Sequence, residues 1–492
     1  MRIIDKIRDN IVNWLRITPA PSTTISITEQ YTFQNNAAKN NVWYRGDSYE
    51  LQQIYRIKGG SQKFWAAVPT PGMEIRKIHT GLPALIVNML SAVVMTDFNG
   101  FDFGDNIAIN ELWDNIERDN KLYDVIDKAI KQTLVVGDGA FKISVDTDIS
   151  EYPIIEFIPG EQVEYIINRG RITEIVFLSK YTVNSTQYVL HEHYGKGYIS
   201  YNLYRNNTEI LLDSLPETSG LDYTTFDGDY IMAVPLMFTR SAKWENRGQS
   251  IYDLKIDDFD AFDEAWSQWM DALRAGRSRT YIPDCYIPRN PNSGMTVPPN
   301  AFDNRFIACG TDMGEKADNK IMVEQPAIPH DSYLSTYVTA LDLCLQGLIS
   351  PSTLGIDVKK LDNAEAQREK EKATLYTRNN IIKALQKALP ELADIAIKTY
   401  YTMLKQPIQE FEADVEWGEY ANPSFESQVE TVGKAKAQGI MSIERCVDEL
   451  YGDTVSPEEK AEEVERLKAE QGITELAEPM LGGVLETTAP RK

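Results

Sequence analysis

The chain has 492 residues, and 73 acidic against 50 basic side chains leave a formal net charge of −23 at pH 7. That balance excludes a protein that grips DNA by neutralising phosphates, and it suits a surface that must not adhere to polyanions. Hydrophobic residues at 42% and charged residues at 25% are ordinary for a soluble globular protein, and the length allows roughly two to four domains.

The first segment, "MRIIDKIRDNIVNWLRI", carries Asp5 and Asp9 inside its apolar pattern and reads as an amphipathic helix rather than a signal peptide. The longest apolar run, "LPALIVNMLSAVVM" at 82–95, is too short to span a bilayer and contains Pro83, Asn88 and Ser91. A buried helix without membrane insertion is expected there. In "ELWDNIERDNKLYDVIDKAIKQTLVV" (111–136), Leu112, Ile116, Leu122, Ile126 and Ile130 fall largely on one helical face. The period then changes: "GAFKISVDTD", "IIEFIPGEQVEYIIN", "RITEIVFLSKYTV", "TQYVLHEHY", "GYISYNLYRN" and "TEILLDSL" read as short strands separated by Gly, Pro and Asn turns. Residues 135–240 are therefore an antiparallel β-rich layer carried by a helical region.

After "RGQS" (247–250) the helical period returns. Phe259, Phe262, Trp266, Trp269 and Leu273 recur at spacings of 3, 4, 3 and 4, one continuous seam among acidic residues, followed by Arg274, Arg277 and Arg279. A second seam runs through Leu334, Val338, Leu341, Leu345 and Leu348, with Asp331 or Ser332 as the expected cap and "SPS" (350–352) as the stop. Between them, residues 280–330 hold seven of the 23 prolines. The economical geometry is two antiparallel helices holding a small module at their far end. The loop "SPSTLGIDVKK" (350–360) precedes a long helix that Asp362 and Glu365 would cap, running to Pro390 and resuming with "ELADIAIKTYYTMLK". Ser456, Pro457 and Glu459 mark a further helix start, and the last residues, with Gly482, Gly483 and Pro490, read as disordered.

Signals for chemistry are sparse. No P-loop, GxGxxG after a strand, HExxH or GxSxG occurs, and the glycines of "VGDGAF" (136–141) suit a tight helix-to-strand turn. His191 and His193 share a strand face at a spacing a metal could use, but with four histidines in the chain a structural or surface role is the better reading. "DTDISE" (146–151) lacks the glycine of a calcium loop. The cysteines Cys285, Cys309, Cys344 and Cys446 form no cluster and are expected to be reduced structural thiols of an intracellular protein, without a zinc site. The run Arg368, Glu369, Lys370, Glu371, Lys372 reads either as a solvated helix face or, with Lys359 and Lys360, as a surface facing a polyanion. Arg274 suits a helix C-terminus, whereas Arg277 and Arg279 lie beyond Gly276, where the dipole does not account for them.

Three stretches taken together resemble the portal proteins of tailed bacteriophages, of the SPP1 type found in long-tailed phages. "VPLMFTRSAKWENRGQSIYDLKIDDFDAFDEAWSQW" is similar to the approach to a first stem helix, "LISPSTLGIDVKKLDNAEAQREKEKATLYTRNN" to a tunnel loop and tunnel helix, and "ANPSFESQVETVGKAKAQGIMSIERCVDEL" to the segment leading into a crown. The resemblance spans nearly the whole chain. It implies an α+β portal fold: a helical wing with an antiparallel β layer, two long stem helices, a small α/β clip, a long tunnel helix and a helical C-terminal crown. The corresponding boundaries are wing 1–250, first stem helix 251–276, clip 277–330, second stem helix 331–349, tunnel loop 350–361, tunnel helix and wing return 362–415, crown 416–475 and disordered tail 476–492.

The same resemblance implies a dodecameric ring at one capsid vertex of a virion, assembled in the host cytoplasm. Double-stranded DNA would pass through its channel inward during packaging and outward during ejection. Implied partners are the terminase large subunit, a head-completion or adaptor protein, and the major capsid and scaffold proteins. No enzyme activity, cofactor or metal is implied, because the packaging ATPase is a separate subunit. Lys359, Lys360, Arg368 and Arg274 are the candidates for facing DNA in the channel, and Arg277, Arg279, Arg289 and Arg305 for docking partners on the clip. Phe259, Phe262, Trp266, Trp269, Leu334, Val338, Leu341 and Leu345 are the candidates for stem packing, with the carboxylates of the first stem helix facing channel or solvent. An acidic wall with a few basic points would guide DNA without deep binding minima. The alternatives are another ring-forming head–tail adaptor of a virion, or a nucleic-acid or glycan hydrolase using acidic pairs.

Overall fold

Apolar residues at helical spacing and alternating residues in strands sort the chain into mixed helix and antiparallel sheet, an α+β arrangement. The structure, a computed structural model, describes residues 31–56, 75–283, 286–287, 291–292, 306–310, 320–356, 364–407, 411–418, 425–451 and 457–470. The chain divides into two units, residues 1–416 and 417–492. The expected N-terminal amphipathic helix, Asp362, Ser456 and the tail 476–492 lie outside the described residues.

Among the described residues, the first helices are α1 (Phe33–Arg45), α2 (Ser48–Arg56) and α3 (Leu82–Thr96). Thr32 caps α1 by accepting the Asn35 N–H, and Gly46 closes it at φ 66, where the absence of a Cβ removes the left-handed penalty. The apolar run at 82–95 forms α3, with Ile86, Val87, Leu90 and Val94 fully buried. Strand β1 (Phe98–Asp102) follows, then α4 (Ile107–Asn120) and α5 (Leu122–Val136). The segment expected as one helix over 111–136 is thus two, broken at Lys121 with φ 49. Asn120 explains the break: its amide nitrogen donates to the Pro153 carbonyl and its oxygen accepts the Ile155 N–H, each at 2.9 Å or less. A long-range anchor at the helix end outweighs continued helix.

The β layer has two antiparallel sheets. In the first, β2 (Asp138–Ser144) lies between β3 (Ile154–Pro159) and β10 (Ala233–Met237), with Phe141 opposite Phe157. The second runs β4 (Val163–Asn168), β5 (Arg171–Val183), β6 (Thr186–Gly195), β7 (Tyr198–Arg205), β8 (Thr208–Ile210), with β9 (Thr224–Thr225) also on β7. Its hairpins turn on Arg169–Gly170, Asn184–Ser185 and Asn206–Asn207, all at positive φ, the geometry that matches strand twist. Leu190, Leu203 and Leu215 form its core cluster, ringed by Tyr181, Tyr188 and Tyr201.

Beyond the layer come α6 (Ile256–Ala275), β11 (Arg279–Pro283), β12 (Phe306–Cys309), β13 (Met322–Glu324), α7 (His330–Leu345) and α8 (Ala364–Met403). Strand β11 is central in the small sheet, parallel to β12 and antiparallel to β13. Helix α8 passes unbroken through Pro390, where a pause was expected, because Leu385, Leu389, Leu392 and Ala396 bury one face on both sides of the proline. Strand β14 (Asp414–Trp417) pairs with β1. The second unit holds α9 (Phe425–Ala437), α10 (Ile443–Tyr451) and α11 (Pro457–Glu470), with Cys446 and Val447 buried. Pro457 opens α11, as its fixed φ favours. Among the described residues, no helix is long and apolar enough to cross a membrane.

Candidate functional site

Helices α6 and α7 run antiparallel, a direction fixed by their contacts. Trp269 stacks on Tyr333 at 6.3 Å between ring centroids, Trp266 and Phe262 meet Tyr337 at 5.6 and 4.9 Å, and at the other end Lys255 Nζ donates to the Leu343 carbonyl. The small sheet of β11, β12 and β13 occupies the connection between them. Aromatic pairs at such separations add about 0.5–1.5 kcal/mol each beyond the area they bury.

Phe259 and Phe262 are buried, Trp266 and Trp269 half-buried, and Leu341 and Leu345 buried. Leu334, by contrast, is 39% exposed, and Val338 is half-buried. The face of α7 that meets α6 is set by Tyr333 and Tyr337, one position before the expected leucine and valine. Counting tyrosine as apolar adds this row to the 3.6-residue pattern beside the leucine row without choosing between them. The expected Asp331 or Ser332 cap is absent too: helix α7 starts at His330 behind Pro329, which offers no side-chain acceptor.

The carboxylates of α6 do not all face outward. Asp257 is exposed, but Asp260 and Asp263 are buried at 6% exposure. Asp263 Oδ1 accepts from the Thr80 N–H at 3.0 Å and the Thr80 hydroxyl at 2.7 Å, while Oδ2 lies 2.6 Å from His79 Nδ1. One turn on, Ser267 Oγ accepts the Ile78 N–H at 2.9 Å and donates to the Asp263 carbonyl at 2.7 Å. The acidic side of α6 thus clamps residues 78–80, and the buried Asp263 carboxylate is satisfied by their donors. Although Ser, His and Asp gather here, Ser267 bonds backbone groups rather than the imidazole, so the cluster lacks a nucleophile–base contact.

The start of α6 is anchored by "RGQS". Asp138 accepts from Arg247 Nε at 2.9 Å, Arg247 Nη2 at 2.8 Å and the Gly248 N–H at 2.7 Å. Burial pushes the Asp138 carboxyl up from the usual carboxylate range, against the pull of Arg247 and the Gly248 N–H. Arg247 also donates to the Val163 and Gly160 carbonyls and lies over the Phe33 ring at 3.7 Å. Ser250 Oγ donates to the Val135 carbonyl at 2.6 Å, and Asp253 Oδ1 takes Asn36 and Asn40 at 2.7 and 3.0 Å. At the far end of α7 the chain turns through Gly347 at φ 77, and the Ser350 N–H donates to Thr374 Oγ1 of α8 at 2.7 Å. Four residues on, Arg378 Nε donates to Asp97 Oδ2 at 2.6 Å, tying α8 to the end of α3.

Of the basic candidates, Arg274, Arg277 and Arg279 are exposed around the end of α6 and the start of β11, and Arg279 stands opposite Glu324 in the register with β13. Arg368 lies in the first turns of α8. Lys359, Lys360, Arg289 and Arg305 lie outside the described residues. His191 and His193 stack at 6.3 Å, and His193 Nδ1 is 3.1 Å from Glu174 Oε2. Among the described residues no group of three or more His, Cys, Asp or Glu is arranged to hold a metal ion. Cys344 and Cys446 are free and buried, and burial pushes the Cys344 thiol up to about 12.

No family model and no curated protein matches the chain. Solved structures do. A chain from the neck of a native gene transfer agent (GTA) particle, computed with C12 symmetry, is 12% identical with a TM-score of 0.40, over 79% of this chain and 91% of that one. A chain from the neck of an empty GTA particle, computed with C6 symmetry, is 12% identical with a TM-score of 0.41, over 74% and 88%.

The residues that sequence reasoning missed are those that join elements: Asp138, His79, Asp263 and Thr374. Each has a partner 21 or more residues away along the chain. No spacing rule reaches that far.

Proposed function

We propose that the chain is a phage-type portal protein, a ring-forming component of a virion whose channel passes double-stranded DNA. The observation that carries this reading is the antiparallel pair α6–α7 with a three-stranded module at one end and, at the other, a short segment leading into the 40-residue α8. Such a pair, half-exposed along Trp266, Trp269 and Val338, has apolar surface left for neighbours in a closed ring.

In this reading α6 and α7 are the stem, β11–β13 the clip, 350–361 the tunnel loop, α8 the tunnel helix, and the second unit the crown. Twelve copies would form the ring at one capsid vertex. The clip would dock a terminase large subunit and later a head-completion protein, and the body would meet the major capsid and scaffold proteins. The chain would do no catalysis itself. A net charge of −23 suits a channel wall that must release every phosphate it meets. Size-exclusion chromatography with negative-stain imaging tests the reading. Wide rings with a central hole are expected, and a clean monomer would sink it.

A further inference from the structure

Two exposed features lie at matched levels along α6 and α7, and they are complementary in kind. At the level where Lys255 reaches the Leu343 carbonyl, Leu254 is 78% exposed. At that same level a largely apolar cavity of about 480 Å³ is lined by Leu343, Leu345, Gly347, Ile349, Pro351 and Ala373, with Thr339, Asp342 and Gln346 as its polar members. Its mouth is open, since Leu343 is 47% exposed and Gly347 is also exposed. Leu254 is not part of its lining. A leucine this exposed is costly in water, at about 25 cal/mol per Å² of apolar surface that a neighbour could cover.

At the opposite end of the helix pair the features are charged. Gly276 abuts the Ile328 side chain and Trp269 stacks on Tyr333, which brings Arg274 level with the first turn of α7. There Asp331 has a side chain 93% exposed, touching its own neighbour His330 at 3.2 Å. Arg274 and Arg277 are exposed as well.

We propose that a second copy of this chain packs side by side on the α6–α7 pair, inserting its Leu254 into this cavity and setting its Arg274 against Asp331. The inference rests on the ring reading above and deepens it. Rotation about an axis parallel to the helices preserves level, so an apolar knob meets an apolar hollow and a cation meets an anion in one movement. The contact is heterologous and closes only by completing a ring. It assigns Arg274 to the subunit interface rather than to DNA. The apolar rung supplies affinity and the charged rung sets register, as rim charges do at other interfaces.

The test measures ring assembly of the full chain against concentration by mass photometry, with circular dichroism to show that each variant is folded. Leu254→Glu, at an exposed site, is expected to raise the concentration for half-assembly by on the order of tenfold or more. Arg274→Glu should weaken assembly, and adding Asp331→Arg to it should restore assembly by returning opposite charges to the contact. Assembly of Leu254→Glu at wild-type concentration overturns the proposal, as does a double variant that assembles no better than Arg274→Glu alone. A wild-type chain that forms no rings overturns the portal reading itself.

Discussion

Arg247 holds both carboxylate oxygens of Asp138, at 2.9 and 2.8 Å, across 109 residues of chain. The Asp138 side chain is fully buried and that of Arg247 is 13% exposed. This pair joins the segment before α6 to the first residue of β2, and so fixes where the helix pair leaves the β layer. Removing the cation strands a buried carboxylate. Arg247→Ala should therefore destabilise the first unit by about 3–5 kcal/mol. Arg247→Lys should recover little, since an ammonium cannot make the forked contact or replace the stacking on Phe33. Denaturant titration of the three proteins checks both statements, and a lysine variant as stable as wild type would contradict them.

Gly248 and Gly137 pass backbone to backbone at this joint. A Cβ on Gly248 would collide with the Gly137 carbonyl oxygen, and Gly137 itself sits at φ 117. Gly248→Ala is expected to cost roughly 1–3 kcal/mol through forced backbone shifts. Alanine at Gly220, which is not at positive φ and has no atom within 4 Å, is the control without a clash. The glycine-248 variant should melt at the lower temperature of the two.

Asp263 should be the residue that keeps the chain before α3 on α6. Asp263→Ala removes the acceptor for His79 and for both Thr80 donors, at a cost of about 3 kcal/mol. Hydrogen exchange at the Thr80 amide should accelerate sharply. The Ile78 amide, held by Ser267, should follow to a lesser degree. Unchanged exchange at Thr80 would show that the clamp is dispensable.

Acid should loosen the second unit at the Lys468–Glu444 pair. Lys468 Nζ lies 2.6 Å from Glu444 Oε1, and the hydrogen bond from Lys468 holds the Glu444 carboxyl down at about 2, below the usual 4.5. A carboxyl lowered by folding contributes stability above its unfolded value, and that contribution is lost as pH falls from 4.5 through about 2. The pair is exposed, so salt should weaken it. NMR titration of the Glu444 carboxyl is the measurement. Its midpoint should rise toward the unfolded value in Lys468→Ala, and an unmoved midpoint would remove Lys468 as the cause.

In the proposed channel, Lys359→Ala with Lys360→Ala should leave rings intact while impairing DNA packaging. Counting filled particles in a packaging assay decides it, and unchanged packaging would remove both lysines from the channel set.

Much of the fold was legible because its signals are local. Strands β5 to β7 announce themselves by alternation and by Asn-rich turns, and α3 by an apolar run of helical length. The seam of α6 was readable from four aromatic residues at helical spacing. Which residues of α7 meet that seam was not, because Leu334 and Tyr333 are adjacent and comparable in hydrophobic weight. Only the stacking of Tyr333 on Trp269 separates them.

By itself, the sequence determined the order of elements, the acidic balance of the chain and the helix–module–helix arrangement, all properties of neighbouring residues. The tertiary structure decided which acids of α6 are buried, where the chain breaks at Lys121, and how Asp138, Asp263 and Thr374 tie distant segments together. Those outcomes depend on satisfying buried polar groups with partners far along the chain. Such a partner is chosen by where packing brings the backbone, which no local pattern encodes.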